Sequence, residues 1–91
     1  SSERYKEKIE TLENALDTIL KLRGVSYIRK KDNTSEIGVI AEEVEEVIPQ
    51  IVKYDEEGNP DSVSYGRITA ILIEAIKELN TKLEVINGTT I

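Results

Sequence analysis

The sequence predicts a single α+β domain, predominantly helical, and three observations carry that prediction. Apolar residues recur at helical spacing in two segments, one towards each end of the chain. Between them lie short β-branched and aromatic runs separated by clusters of Asp, Asn, Ser, Thr and Gly. A length of 91 residues allows one small domain, 1–91, which buries only about two-thirds of the surface exposed by its unfolded chain.

From Glu3 to Arg23, Ile9, Leu12, Leu16, Ile19 and Leu20 fall on one face, with charged residues between them, so this segment is expected to be an amphipathic helix. Gly24 suits the left-handed position that ends a helix, and Lys21 and Arg23 complement its carboxyl end. Val25–Lys31 alternates as a strand, Asp32, Asn33, Thr34 and Ser35 form a turn, and Glu36–Ile40 returns as the second strand of a hairpin. A short helix follows, with Ala41, Val44, Val47 and Ile48 opposite Glu42, Glu43, Glu45 and Glu46, and Pro49 stops it.

Ile51, Val52 and Tyr54 predict another strand. The turn-forming stretch Asp55–Asp61 then leads to Ser62–Tyr65, which predicts a second hairpin. The strongest periodicity closes the chain. Over residues 67–87, Leu72, Ile76, Leu79, Leu83 and Ile86 form the heptad seam of a coiled coil on a long helix. Ile68, Ile71, Ile73 and Ala75 add a second apolar stripe to its front half, more than one seam can use. The front half is therefore expected to pack on its own domain while the seam meets a partner. Two heptads are marginal in isolation, and the seam predicts self-association without fixing a number of chains.

Composition narrows the chemistry. The chain is 38% hydrophobic, with four Tyr but no Phe, Trp, Met, Cys or His, so the core must be aliphatic. Without Cys or His, thiol nucleophiles, disulfides, the Ser-His-Asp relay and most zinc sites are excluded. A net charge of -6 opposes phosphate neutralisation, which makes nucleic acid and anionic membranes poor partners. The longest apolar runs fall far short of the roughly 20 residues of a membrane span, and SSERYKEKIE lacks the pattern of a signal peptide. The glutamate run reads as a solvated helix face, the acidic stretch after Tyr54 lacks calcium-loop spacing, and the glycines are scattered. No metal or cofactor is expected.

Ser1, Ser2 and Lys6 are the one constellation with catalytic meaning. Within a helix Ser1 and Lys6 would stand about 140° apart, so Ser1 must lie off the helix with the lysine reaching back. Either serine can act as a helix cap, although neither has Glu or Gln three residues on to complete a capping box. The alternative is a serine nucleophile with a lysine base, which requires a desolvated, neutral lysine. Both readings stand on these residues alone.

Three blocks together resemble a known family, the intramolecular chaperone and autoprocessing (peptidase S74) domain found at the C-terminal ends of bacteriophage tailspikes and tail fibres. GVIAEEVEEVIPQIV, Gly38–Val52, is similar to the family's Gly-x-Ile-Ala-Gln-Glu-Val run followed by Pro and Val. Ser62–Asn80 resembles its Val-x-Tyr segment leading into the long helix, with Tyr65, Leu72, Glu74, Ala75, Ile76, Glu78 and Leu79 in step. SSERYKEKI is similar to the processing motif Ser-Asp-x-x-x-Lys, departing at Ser2, where Asp is usual, and at Lys8, where Asn is common.

The resemblance implies that a precursor is cut immediately before Ser1, whose hydroxyl attacks the adjoining upstream carbonyl with Lys6 as general base. It implies a homotrimer that assists folding of an upstream tail fibre or tailspike segment in the host cytoplasm during virion assembly. It also implies release from the mature fibre by a single self-cleavage, of which this chain would be the product. The alternative is a non-enzymatic acidic trimerisation or clamp module of a fibre protein. Lys6 separates the two.

Overall fold

The structure is a computed structural model that describes residues 1–88. A 3-10 turn at Glu3–Tyr5 opens it, and an extended stretch leads to α1 (Ala15–Leu20). β1 (Val25–Ile28) and β2 (Ser35–Gly38) form one antiparallel hairpin. α2 (Ala41–Val47) and a second 3-10 turn (Pro49–Ile51) follow. β3 (Val52–Tyr54) and β4 (Pro60–Val63) form the second hairpin, and α3 (Tyr65–Ile86) closes the described chain. The predicted α+β class and long C-terminal helix are those observed.

The N-terminal helix is where the structure departs from expectation. Helix spans Ala15–Leu20 rather than Glu3–Arg23, and it ends at Lys21 with Gly24 outside the left-handed region. Lys8 and Asn14 adopt positive φ, 54° and 57°, and so interrupt any helix through the arm between them. The physical reason is burial. Leu16 and Ile19 have a core to pack against, whereas Ile9 and Leu12 stand exposed within a single chain, and a short helix without a packed face does not hold together in water.

Two small aliphatic clusters make the core. Val44, Ile51, Val52 and Val63 are buried where α2 meets the second hairpin, with Leu22, Val39, Ala41 and Ile68 around them. Ala15, Ile71 and Ala75 are buried between α1 and α3, supported by Leu16 and Ile19. Ile48 touches both clusters and joins them, held in place by Pro49, which turns the chain as expected. Alanine on both helices lets α1 and α3 approach closely at Ala15 and Ala75.

The turns explain their sequences. Asp55 Oδ1 accepts from the amides of Glu57 and Asn59, both at 2.9 Å, and Gly58 supplies a φ of 85°, so the acidic stretch is a hairpin turn. Asp32 Oδ1 likewise accepts from the Thr34 amide and hydroxyl, with Asn33 at positive φ beside it. In the first hairpin, Tyr27 and Gly38 lie near Tyr65, while Ile28 and Ile37 on the opposite face are exposed. Val39 N–H donates to the Tyr65 hydroxyl at 3.2 Å, which fastens this hairpin to the start of α3.

The chain exposes 7665 Å². A compact monomer of 10.2 kDa exposes roughly 5300 Å². Its radius of gyration of 16.6 Å likewise exceeds the roughly 13 Å of a compact chain of about 100 residues. The back half of α3 and the N-terminal arm account for this shape, since neither is covered by the rest of the chain.

Candidate functional site

The Ser1–Lys6 segment is built on the N-terminal turn. Ser2 is extended, and its hydroxyl accepts from the Arg4 amide at 3.3 Å, so Ser2 is the serine that caps. Tyr5 N–H donates to the Ser2 carbonyl and Lys6 N–H to that of Glu3, which closes the turn. Arg4 lies over the Tyr5 ring, 4.5 Å from its centroid, and reaches the Tyr5 hydroxyl at 2.8 Å. Ser1 is thereby left off the turn, and the Lys6 ammonium reaches back to donate to the Ser1 carbonyl oxygen.

The structure therefore brings Ser1 and Lys6 together, through the Ser1 carbonyl rather than its hydroxyl. Both residues are exposed in the single chain. The division of labour between the two serines, one capping and one free of the turn, follows from the exit of the chain at Ser2. Among the described residues, no group of three His, Cys, Asp or Glu side chains is placed to hold a metal ion.

The second candidate surface is α3. Its inward stripe, Ile68, Ile71 and Ala75, packs on the domain, while Ile73 from the predicted inner stripe is exposed. Leu72, Ile76, Leu79, Leu83 and Ile86 all stand exposed along the helix, with Ile76 at 64% and Ile86 at 77% of full exposure. On another side of the same helix, away from the seam, the arm passes alongside α3, and Ile9–Leu12 line a shallow groove with Ala70, Ile73 and Glu74. Arm and helix thus present apolar residues side by side.

Two contacts lie beyond what the sequence predicts. Glu78, next in the inward stripe after Ala75, receives the amides of Ala15 at 2.9 Å and Leu16 at 3.1 Å on its two carboxylate oxygens. The Tyr65 hydroxyl occupies the space that a Cβ on Gly38 would need. A carboxylate continuing an apolar stripe was the available signal for the first, since a partly buried charge calls for donors. The second had none, because it depends on how a hairpin folds over a helix far along the chain.

Known proteins of similar sequence include phage tail fibre proteins. The chain is 32% identical over 89 residues to the long tail fiber protein Gp37 of Enterobacteria phage K3, and equally to that of Enterobacteria phage T2. It is 33% identical over 94 residues to the long tail fiber protein Gp37 of Salmonella phage S16. These alignments cover 88–89% of this chain, which spans 7% of the K3 and T2 proteins and 13% of the S16 protein. The sequence pattern of the family Peptidase_S74, chaperone of endosialidase, matches residues 1–53, from the Ser1–Lys6 turn through the Gly38–Val52 block. With more than half of its length under that pattern, this chain belongs to the Peptidase_S74 family.

Proposed function

We propose that this chain is the C-terminal chaperone segment of a phage tail fibre, which associates as a homotrimer and is released by one self-cleavage before Ser1. Three things support the reading: family membership, tail fibre relatives, and the contact that holds Lys6 against Ser1. That contact is the observation that carries the chemistry. It keeps an amine within reach of a serine whose side chain is not used to cap the turn.

In the reaction proposed, Lys6 in its neutral form takes the proton from the Ser1 hydroxyl, whose oxygen attacks the carbonyl carbon of the preceding residue. The bond from that carbonyl to the Ser1 nitrogen breaks, the nitrogen leaves with the proton returned by Lys6, and the acyl group passes to the Ser1 oxygen as an ester. Water then hydrolyses the ester, releasing an upstream carboxylate and restoring the Ser1 hydroxyl. A lysine serves as base only when desolvated, and in the single chain Lys6 faces water. The reading requires assembly to supply the missing burial, and the arm that carries Lys6 runs beside α3 at Ala70, Ile73 and Glu74, so it enters the assembly with that helix.

The same order of events suits a long fibre. Joining upstream chains through a helix that forms from local contacts raises their effective concentration before slow, long-range pairing begins. Cleavage afterwards makes the assembled state kinetically persistent. Intact mass measurement of a precursor carrying its native upstream sequence tests the proposal, beside Ser1→Ala and Lys6→Ala. A wild-type fragment beginning at Ser1 with both variants whole is the expected result. Should all three assemble and remain whole, the non-enzymatic clamp is the correct reading.

A further inference from the structure

We infer that Glu78 is the positioning residue that ties the Ser1–Lys6 segment to the helix through which the chains assemble, an inference that rests on the processing reading above. α1 lacks a cap of its own, since Asn14 is left-handed and its side chain makes no capping bond. The cap comes instead from α3, where the two Glu78 oxygens take the Ala15 and Leu16 amides separately. A charged acceptor shared by two amides is a stronger tether than a neutral one.

The location gives that tether its consequence. Ala15 is where the processing arm ends and α1 begins, and Glu78 stands on the inward face of the helix whose other side carries the exposed seam. Upstream of Ala15 the arm has no regular structure until Tyr5, and its Ile9–Leu12 stretch borders α3 at Ala70, Ile73 and Glu74. Fixing one end of the arm at Glu78 therefore sets its course along the assembling helix. The helix that carries the seam thus also fixes the point from which the arm to the Ser1–Lys6 turn departs. Without the tether, the arm leaves α3 at an undefined point, and assembly no longer covers Lys6 in a fixed way.

Hydrogen exchange on the chain and cleavage of the native-sequence precursor test this, with Glu78→Ala, Glu78→Gln and Ile71→Val compared. Glu78→Ala is expected to speed exchange of the Ala15 and Leu16 amides at least tenfold and to slow cleavage at least tenfold, with the oligomer retained. Glu78→Gln keeps an acceptor at the same reach, so it should recover part of both effects. Ile71→Val lowers stability in the same helix pair without touching the tether, and its cleavage should stay within about threefold of wild type. Unchanged protection of the two amides in Glu78→Ala, or equal slowing by Ile71→Val, overturns the inference. A wild-type precursor that stays whole removes the processing reading and the positioning role together, while amide protection still decides whether Glu78 holds the arm.

Discussion

The two halves of α3 carry the same kind of apolar periodicity and meet different surroundings. In the front half, Ile68, Ile71 and Ala75 are covered by α1 and the hairpin core. In the back half, Leu79, Leu83, Val85 and Ile86 remain exposed. One helix thus contains residues that hold the domain together and exposed residues that the proposed assembly would cover. Because the two sets share almost no positions, folding and assembly should be separable by substitution.

The sharpest way to break that comparison is Ile71→Ala. Ile71 is 5% exposed between Ala15 and Ala75, and truncating it leaves a cavity in a cluster with few other members. A loss of about 2–5 kcal/mol is expected, enough to unfold a marginal domain of this size. Urea unfolding followed by circular dichroism measures it. A loss below about 1 kcal/mol would mean that the front half is no more committed to its domain than the back half.

Gly38→Ala comes next and probes the link between the first hairpin and the start of α3. The added Cβ overlaps the Tyr65 hydroxyl and meets the Tyr27 ring at 3.5 Å, so overpacking of about 1–3 kcal/mol is expected. Tyr65→Phe removes the overlapping oxygen along with the bond to the Val39 amide. The double substitution should therefore be less unstable than the sum of the singles, by at least about 0.5 kcal/mol. Additive losses would place the strain elsewhere.

Leu83→Lys sharpens the contrast from the other side. Leu83 is 49% exposed and touches neither core cluster, so the stability of the isolated chain should change by no more than about 0.5 kcal/mol. Assembly, measured by sedimentation at micromolar concentration, should be lost. Unfolding of the dilute chain by Leu83→Lys would show that domain and assembly are not separate.

What the sequence revealed follows the same division. α3, α2 and both hairpins were legible because their signals are local: apolar period, turn residues, a proline. The N-terminal helix was over-read. Leu12, Leu16 and Ile19 keep helical spacing, but only Leu16 and Ile19 find a core, and periodicity cannot say where the covering partner ends. At the candidate site, the approach of Lys6 to Ser1 was legible from their motif, although Lys6 follows a 3-10 turn in extended backbone rather than standing on the helix expected there. Glu78 and Tyr65 stood out only as positions in step with the family, and their contacts were not legible, since each acts on residues remote in the chain and no local pattern names the amide that a side chain will meet.

The smallest effect expected is a pH dependence at the domain surface, remote from both halves of α3. Arg23 donates to the two Glu43 oxygens at 2.9 and 2.8 Å, joining the chain after α1 to α2. That hydrogen bond, aided by the charge of the guanidinium, holds the Glu43 carboxyl below its ordinary range and raises Arg23 above its own. The unfolded chain then takes up its proton at a higher pH than the folded one. The stability contributed is fully present above the ordinary carboxylate value of about 4 and fades as pH falls through the folded value. Arg23 adds no dependence of its own, because its ordinary value already lies above any pH at which the domain would be studied. Asp32, held low chiefly by the Thr34 hydroxyl and then by the Thr34 amide, fades in the same direction and is common to both proteins. Urea midpoints of wild type and Glu43→Gln should therefore differ slightly at pH 7 and converge towards pH 3. Because Arg23 is largely exposed and Glu43 partly so, the difference must also shrink with added salt. A gap that persists in acid would mean that Glu43 acts through packing on α2 rather than through its charge.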